Sequence, residues 1–223
     1  MNYPSWEIYE TLYARYLTRS VTEMIDAAGG VEGKKVVDLC GGTGRLAEEC
    51  VKQKAGGVCL VDACPEMWGR LRGIDNCPVE IFSESVQLFL SRCVRQFDVV
   101  FCRQAVNYWL NDEIMQPLVR RVRKGGVFVF NTFNTQPSSD PMVKQYEMCD
   151  PPRKYVEVSS FHPETQVVYH SQSCTGLPMH TTSFKWISPE DFHTLLSPHF
   201  DISVIRDGKT SMYLCEKHGR GNG

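Results

Sequence analysis

The segment from Val36 to Gly44 constrains the fold of this chain more than any other part. A short apolar run contains Asp38 near its end, a glycine-rich turn follows, and a helical pattern begins at Arg45. Glycine has no side chain and tolerates positive φ, so such a strand–turn–helix brings bare backbone close to a ligand. The first turn of the helix adds free N–H groups at the same place. The segment therefore predicts a ligand-binding turn in an α/β fold.

A second carboxylate, Asp62, ends the next apolar run of the chain. In nucleotide-binding α/β sheets, an acidic residue at this place holds the two hydroxyls of a ribose. The carboxyl ends of neighbouring parallel strands also lie at one edge of the sheet. The two features together predict a nucleoside-containing cofactor that lies across the ends of two parallel strands.

Strand-like and helix-like runs alternate along the chain, which predicts right-handed crossovers and a parallel sheet. The strand-like runs are 35–39, 58–62, 79–82, 97–103, 127–132, 200–206 and 210–215, and the helical patterns are 45–54, 66–72, 86–93, 113–122 and 190–196. An Asp-Gly turn at 207–209 joins the last two strand-like runs as a hairpin. We expect an α/β fold with a doubly wound, mostly parallel seven-stranded sheet that includes a C-terminal antiparallel hairpin.

Two classes of cofactor fit the glycine-rich turn. Residues 42–47 also satisfy the pattern G-x-G-x-x-G/A of dinucleotide-binding enzymes, so a nicotinamide-dependent oxidoreductase is an alternative. The charge of Asp38 argues against it, because a pyrophosphate beside the turn would meet a carboxylate in a low-dielectric crevice. S-adenosylmethionine carries no phosphate, and a carboxylate stabilises both its sulfonium and its ammonium group. Asp38 therefore favours the methyl donor.

At these residues the chain resembles the class I (Rossmann-like) S-adenosylmethionine-dependent methyltransferases of the small-molecule type. That family commonly has the basic-Gly-Gly turn found here at 124–126, which is predicted to end the helical pattern 113–122 before the next strand. Its sheet is closed by a terminal antiparallel hairpin. It usually has glycine two residues after the acid, where this chain has Cys40, a change expected to tighten the methionine end of the site. The resemblance implies that the cofactor is bound by Tyr13, Arg15, Asp38, Cys40, Gly42, Gly44, Asp62, Ala63, Met67, Glu84, Ser85, Arg103 and Gln104.

The resemblance also implies a role for several of these residues. Gly42 and Gly44 would approach the methionine and ribose portions of the cofactor, and Asp62 would hold the ribose. Met67 would lie against the adenine face, and Glu84 would accept the adenine amino group. The backbone of residues 103–104 would face the methionine moiety.

Two segments are expected to cover this site within a single domain of residues 1–223. Residues 1–30 contain an aromatic stripe at helical spacing and are predicted to form a lid helix, from which Tyr13 or Arg15 would reach the cofactor carboxylate or the substrate. Packing of this helix on the domain is an equally good explanation of the stripe. Residues 135–186 contain three alternating runs and are predicted to form a small antiparallel β insert over the active site.

The methyl acceptor leaves a weaker signal, because transfer from a sulfonium requires mainly alignment and exclusion of water. The D/N-P-P-Y/F motif of enzymes that methylate base amines is absent after the fourth strand-like run, which favours a small-molecule acceptor. Tyr108 is predicted to orient this acceptor, and His162, His170 and His180 are the candidate general bases, although strand histidines are often merely exposed. The predicted function is S-adenosylmethionine-dependent methylation of an amine or hydroxyl. A NAD(P)-dependent oxidoreductase and a non-catalytic S-adenosylmethionine-binding protein, the latter suggested by Cys40, are the alternatives.

Composition limits the partners and the compartment. The formal net charge of −2 gives no electrostatic footprint for nucleic acid. The ten cysteines contain no C-x-x-C pair, so no metal site is expected, and thiols inside apolar runs indicate a reducing compartment. Neither a signal peptide nor an apolar run long enough to span a bilayer occurs, so we expect a cytoplasmic protein without a membrane partner.

Overall fold

The computed structural model describes residues 6–72, 78–149, 152–176, 179–206 and 210–218. Within them, the strands are β1 (Lys35–Leu39), β2 (Gly57–Val61), β3 (Val79–Phe82), β4 (Phe97–Arg103), β5 (Val122–Phe133), β6 (Met142–Cys149), β7 (Pro152–His162), β8 (Val167–Cys174), β9 (His180–Lys185), β10 (Phe200–Arg206) and β11 (Thr210–Lys217). The α-helices are α1 (Trp6–Ala27), α2 (Arg45–Lys52), α3 (Gly69–Arg72), α4 (Val86–Arg92), α5 (Asp112–Arg121) and α6 (Pro189–Leu196). Short 3₁₀ helices cover Pro65–Trp68 and Val106–Tyr108.

The described strands form a seven-stranded sheet in the order β10-β11-β5-β4-β1-β2-β3. Strands β1 to β5 run parallel to one another, and β11 pairs antiparallel with both β5 and β10. This confirms the predicted α/β fold with a mostly parallel sheet and a terminal hairpin. The turn at 207–209 that was predicted to join the hairpin lies outside the described residues.

Helices cover both faces of this sheet, as a doubly wound fold requires. One apolar core lies beneath α4, α5 and α6, and the other lies beneath α1, α2 and α3. In the first core, Phe130 stacks on Tyr213 with ring centroids 4.8 Å apart, so the terminal hairpin shares its core with the parallel strands. The two cores hold the carboxyl ends of β1, β2 and β4 at one common edge.

The fifth strand begins earlier than its sequence predicts. Residues 124–126 were expected to form a turn that stops α5, but the helix already ends at Arg121 and these residues continue β5. The extra residues are accommodated as an irregularity, because Phe97 pairs with Val122 while Val99 pairs with Val127. Gly126 is required there, since a Cβ would lie 2.8 Å from the Asp98 carbonyl oxygen.

A second, antiparallel sheet follows β5 and has the order β6-β7-β8-β9. Three of these strands match the alternating runs of the predicted insert, whereas β6 was missed. Most of the described side chains of β6 are exposed, so its sequence lacks the alternation that marks a half-buried strand. We call the second sheet the lid sheet.

One face of the lid sheet is directed toward the main domain. At register positions that share this face, Phe161 and Val168 are buried, and Phe184 lies beside them. The Phe184 ring contacts the Tyr108 ring with centroids 4.9 Å apart. Tyr108 follows β4 directly, so this inner face lies near the carboxyl edge of the parallel strands.

Candidate active site

The glycine-rich turn after β1 is held in place by close packing. A Cβ at Gly41 would lie 2.7 Å from Leu60 Cγ and 2.8 Å from Asp38 Oδ2, so any side chain there would displace the carboxylate. Gly44 starts α2 with φ of 80°, and a Cβ there would meet Leu71 Cδ1 at 2.3 Å. Gly42 differs, because the nearest atom to its Cβ position is 3.9 Å away. The turn is therefore closed toward the core and open at Gly42.

Cys40 occupies the position where glycine was expected. Its φ is 54°, in the left-handed region, so the turn keeps the backbone conformation that glycine would adopt. A hydrogen bond with Cys102 and burial raise the pKa of the Cys40 thiol, which stays protonated at neutral pH. Cysteine thus alters the side chain in this turn without altering the path of its backbone.

Asp38 is a buried carboxylate with little compensation. It is 1% exposed, and neither carboxylate oxygen accepts a well-formed hydrogen bond from the described part of the chain. Burial raises the pKa of Asp38 to about 7, while the nearby Arg103 guanidinium opposes this rise and the Asp62 carboxylate adds to it. A ligand that brings positive charge to this carboxylate would favour its ionised form.

Asp62 follows β2 and faces the same turn. Its Oδ2 accepts a hydrogen bond from the Gly42 N–H at 2.8 Å, and its Oδ1 accepts one from the Cys64 N–H at 2.8 Å. Burial raises the pKa of Asp62, and the two backbone N–H groups oppose that rise. Each carboxylate oxygen has a further lone pair, so Asp62 is able to accept hydrogen bonds from two ligand hydroxyls as well.

Helix α1 is attached to the turn by a residue that was not predicted. Glu10 is 8% exposed; its Oε1 accepts a hydrogen bond from the Thr43 hydroxyl at 2.5 Å, and its Oε2 is bound by the Arg45 guanidinium. The side chains of Tyr13 and Arg15, which were predicted to contact the cofactor, lie outside the described residues. The helical spacing of the aromatic residues pointed to Tyr13 as a contact residue. It could not point to Glu10, because the partners of Glu10 are more than thirty residues away in sequence.

The residues predicted to surround the adenine occupy the same edge of the sheet. Met67 is buried, and its methyl carbon is the atom nearest to the position that a Cβ would take at Gly42. Ala63 is exposed. Glu84 is buried and its Oε1 pairs with the Arg92 guanidinium at 2.7 Å. Ser85 is the N-cap of α4, since its hydroxyl accepts the Leu88 N–H at 3.2 Å. Ser85 therefore has a structural role in addition to its predicted contact with the cofactor.

The end of β4 is supported by two asparagines, of which Asn131 was not singled out from the sequence. Gln104 has φ of 56°, and its N–H donates to the Asn131 carbonyl at 3.1 Å and to Asn131 Oδ1 at 2.9 Å. Asn107 Nδ2 donates to the Thr132 hydroxyl at 2.9 Å. These bonds hold Arg103 and Gln104 at the edge where β1 and β2 also end. Their partners in β5 can be found only from the strand order.

The inner face of the lid sheet carries a polar cluster. His170 Nε2 lies 3.1 Å from Glu157 Oε1, and its Nδ1 is hydrogen-bonded to the Ser159 hydroxyl at 2.8 Å. Gln172 Nε2 donates to Glu157 Oε1 at 3.3 Å, and Gln172 Oε1 is buried without a partner in the described structure. We call Glu157, His170 and Gln172 the lid cluster.

The structure separates the three histidines that were predicted as general bases, with His170 and His180 on the inner face of the lid sheet and His162 on the other. His180 pairs in register with Gln172 and shares the inner face with the lid cluster, and burial lowers its pKa. His162 lies at the end of β7 on the opposite face, is exposed, and contacts the Tyr169 ring edge-on. His180 is therefore brought to the side where Tyr108 lies, and His162 is not.

The site at this edge fits a cationic nucleoside cofactor. The buried carboxylate of Asp38 lies behind the turn, Asp62 retains hydrogen-bonding capacity for a ribose, and Gly42 leaves the approach open. A pyrophosphate at the turn would instead be repelled by the Asp38 carboxylate. Among the described residues, no group of three or more His, Cys, Asp or Glu is arranged to hold a metal ion. No described helix has the length and apolarity needed to cross a membrane.

Comparison with protein-family models decides the family. The model described as a methyltransferase domain matches residues 9–167, which include the glycine-rich turn and all five parallel strands. The chain belongs to this methyltransferase family. This overturns the oxidoreductase alternative and confirms the predicted enzyme class.

Curated relatives of this methyltransferase include ubiquinone biosynthesis O-methyltransferases. That of Klebsiella pneumoniae subsp. pneumoniae is 30% identical over 112 residues, which cover 49% of this chain and 46% of that protein. That of Pectobacterium carotovorum subsp. carotovorum is 25% identical over 184 residues, which cover 80% of this chain and 77% of that protein. The chain thus spans about half the length of the first of these relatives.

Solved structures show the same fold at low identity. The methyltransferase CcbJ from Streptomyces caelestis superimposes with a TM-score of 0.74 at 16% identity, covering 90% of this chain and 89% of that one. An amino pentose methyltransferase from Micromonospora echinaspora, solved with S-adenosylmethionine bound, superimposes with a TM-score of 0.69 at 14% identity, covering 98% and 100%. Together with the family model, the relative solved with S-adenosylmethionine bound confirms the prediction of S-adenosylmethionine as the cofactor.

The buried charge of Asp38 predicts a pH-dependent effect on stability without ligand. Because folding raises the pKa of this carboxyl to about 7, the stability that it contributes is fully present below its unfolded pKa of about 4 and is lost as the pH rises through 7. Between about pH 5 and pH 8.5, wild-type protein should lose roughly 2 kcal/mol more stability than an Asp38→Asn variant. Urea unfolding at the two pH values measures this difference, and an equal loss in both proteins would contradict the assignment.

Proposed function

We propose that this methyltransferase transfers the methyl group of S-adenosylmethionine to an amine or hydroxyl of a small molecule. The observation that carries the proposal is the buried carboxylate of Asp38, which lacks a well-formed hydrogen bond in the described structure, behind an open glycine-rich turn. Desolvating a lone carboxylate is costly, so such a group is retained where a bound cation offsets the cost. When bound, S-adenosylmethionine supplies a methyl group already activated on a sulfonium.

The residues at the carboxyl edge of the parallel strands would then bind and orient the cofactor. Asp38 would attract the positive charges of the methionine end, Asp62 would accept hydrogen bonds from the ribose hydroxyls, and Met67 would pack against the adenine. Glu84 retains a buried Oε2 without a described partner, which supports its predicted bond to the adenine amino group. Cys40 has the backbone conformation of the expected glycine, so it gives no support to a non-catalytic protein.

The acceptor would bind between the edge of the main sheet and the inner face of the lid sheet. Tyr108 is the link, because it follows β4 and its ring contacts Phe184 of the lid. Burial under the lid would exclude water from the transfer, which is the main contribution that this chemistry needs from the protein. Tyr108 would orient the acceptor, and His180 would take a proton from an acceptor that binds protonated. His162 is not used here, because it lies on the outer face.

The relatives leave the acceptor atom open between nitrogen and oxygen. The curated relatives are named as O-methyltransferases, and one solved relative is named as an amino pentose methyltransferase. The lid cluster contains a carboxylate, an imidazole and an amide, which can bind either an ammonium or a hydroxyl group. Binding of nucleic acid is not expected from the charge, and a cytoplasmic location stays a prediction.

Calorimetry separates the cofactor classes. We expect purified protein to bind S-adenosylmethionine with a Kd in about the micromolar range and not to bind NADH, because Asp38 repels a pyrophosphate. Asp62→Ala should weaken binding of the methyl donor at least tenfold through loss of the ribose contacts. Asp201→Ala is the matched control, since the Asp201 side chain is 80% exposed. Binding of NADH by the wild type, or equal effects of the two substitutions, would contradict the proposal.

Transfer of labelled methyl groups tests the acceptor site. A panel of small amines and hydroxyl compounds is incubated with methyl-labelled S-adenosylmethionine, and for any compound that is methylated, Tyr108→Ala should reduce kcat/KM at least tenfold. Affinity for S-adenosylhomocysteine should remain within about twofold, because Tyr108 acts on the acceptor. Tyr169→Ala, on the outer face of the lid, is the control. Loss of transfer in both variants, or in neither, would show that Tyr108 does not position the acceptor.

A further inference from the structure

The lid cluster contains a buried oxygen atom that accepts no hydrogen bond. Glu157 and Gln172 are each 7% exposed and lie on the inner face of the lid sheet. Gln172 Oε1 has no hydrogen-bond partner in the described part of the chain. Burying an amide oxygen without a hydrogen bond is costly, so such an atom in a native structure requires a physical reason. A ligand that donates a hydrogen bond to this oxygen would remove the cost.

The bonds within the cluster determine which way the Gln172 amide is turned. Its Nε2 donates to Glu157 Oε1 at 3.3 Å and lies 2.8 Å from His170 Nε2. That ring nitrogen accepts the second N–H of the amide when His170 carries its proton on Nδ1, which lies beside the Ser159 hydroxyl. Turning the amide over would instead place its oxygen against Glu157 Oε1, which is repulsive. Both amide donors are therefore used, and the carbonyl oxygen is left over.

The Glu157 carboxylate is held by donors from both neighbouring strands. Gln172 donates to it from β8, and the Tyr146 hydroxyl is hydrogen-bonded to it from β6. Burial, together with the nearby carboxylate, raises the pKa of Tyr146, so this hydroxyl stays a donor at neutral pH. The cluster therefore presents a carboxylate and an adjacent amide oxygen to a ligand, and both of these groups only accept hydrogen bonds.

We propose that the lid cluster recognises the methyl acceptor and binds a protonated amine between the Glu157 carboxylate and the Gln172 carbonyl oxygen. This assignment rests on the proposed function, in which the acceptor lies against the inner face of the lid sheet. An ammonium group has several N–H donors, so it can donate to both oxygens at once and also offset the buried negative charge. A hydroxyl has a single donor and would leave one of the two oxygens without a partner. The cluster thus selects an amine, whichever atom of the acceptor receives the methyl group.

The cluster shares its face with the residues that link the lid sheet to the main domain. Gln172 pairs in register with His180, and Phe184 follows on the same face of β9. The Phe184 ring contacts the Tyr108 ring, which is proposed to orient the acceptor. An acceptor held by its amine at the cluster would therefore extend along the inner face toward Tyr108.

Blocking the amines in a mixture of acceptors tests the choice between amine and hydroxyl. A protein-free small-molecule extract of the source cells is divided, and one half is treated with N-hydroxysuccinimide acetate, which acylates amines and leaves most alcohols unchanged. After the excess reagent has been hydrolysed, each half is incubated with the protein and methyl-labelled S-adenosylmethionine. We expect the acylated half to give about tenfold less labelled product or lower, because a site built to bind an ammonium rejects an amide. Mixing the two halves should restore the labelling, which shows that the treatment does not inhibit the enzyme.

Two substitutions then test whether the lid cluster is where the amine binds. For the compound that is labelled, Gln172→Met and Glu157→Gln should each raise KM about tenfold or more and change kcat less, because they weaken binding of the ammonium. Affinity for S-adenosylhomocysteine, measured by calorimetry, should stay within about twofold of wild type. Gln145→Met and Glu164→Gln are the matched controls, because both side chains are exposed on the lid sheet or in its first turn after β7. The controls should leave KM unchanged.

The outcomes separate this inference from the proposed function. If both halves of the extract are labelled equally, the enzyme is a methyltransferase whose acceptor needs no amine, and the inference is wrong. It is also wrong if the cluster variants match their controls or lower kcat alone, since the amine is then bound elsewhere. If they lose affinity for S-adenosylhomocysteine, the cluster is only structural. If neither half is labelled, the proposed function itself fails.

Discussion

The buried negative charge of Asp38 is the constraint on which the rest of this site depends. A carboxylate that is 1% exposed and lacks well-formed hydrogen bonds in the described structure is destabilising when the protein is empty. The same charge makes the site selective, because it attracts a cation and repels a pyrophosphate. The cost in stability and the choice of cofactor therefore have a single physical origin, as is common at functional sites.

The surrounding structure keeps this charge in place and open to a ligand. A Cβ at Gly41 would clash with both Asp38 and Leu60, so glycine is needed there to leave the carboxylate in its buried position. Cys40 takes a left-handed conformation at some cost to maintain the turn. Glu10 then ties α1 to the turn through its bonds to Thr43 and Arg45. These contacts hold the turn between α1 and the core of the sheet.

Much of the fold and part of the site could be predicted from the sequence. The bounds of β1, β3, β4 and β10 were predicted to the residue, because compact apolar runs are strong local signals. Asp38 and Asp62 were found because they end such runs. The start of β5 was wrong, since glycines at 125–126 suggested a turn where the strand has an irregularity, and β6 was missed because it is an exposed edge strand. The roles of Glu10, Asn131 and the lid cluster depend on contacts between distant segments, which periodicity does not report.

Proton release on binding is the most direct test of the role of Asp38. Its pKa of about 7 means that about half of the unliganded molecules carry a proton there at pH 7, and a bound cation would displace it. Titration with S-adenosylmethionine in buffers of different ionisation enthalpy measures the number of protons released. We expect wild-type protein to release about half a proton more per ligand than Asp38→Asn at pH 7. Equal numbers for the two proteins would show that Asp38 does not ionise on binding, and would contradict this account of the site.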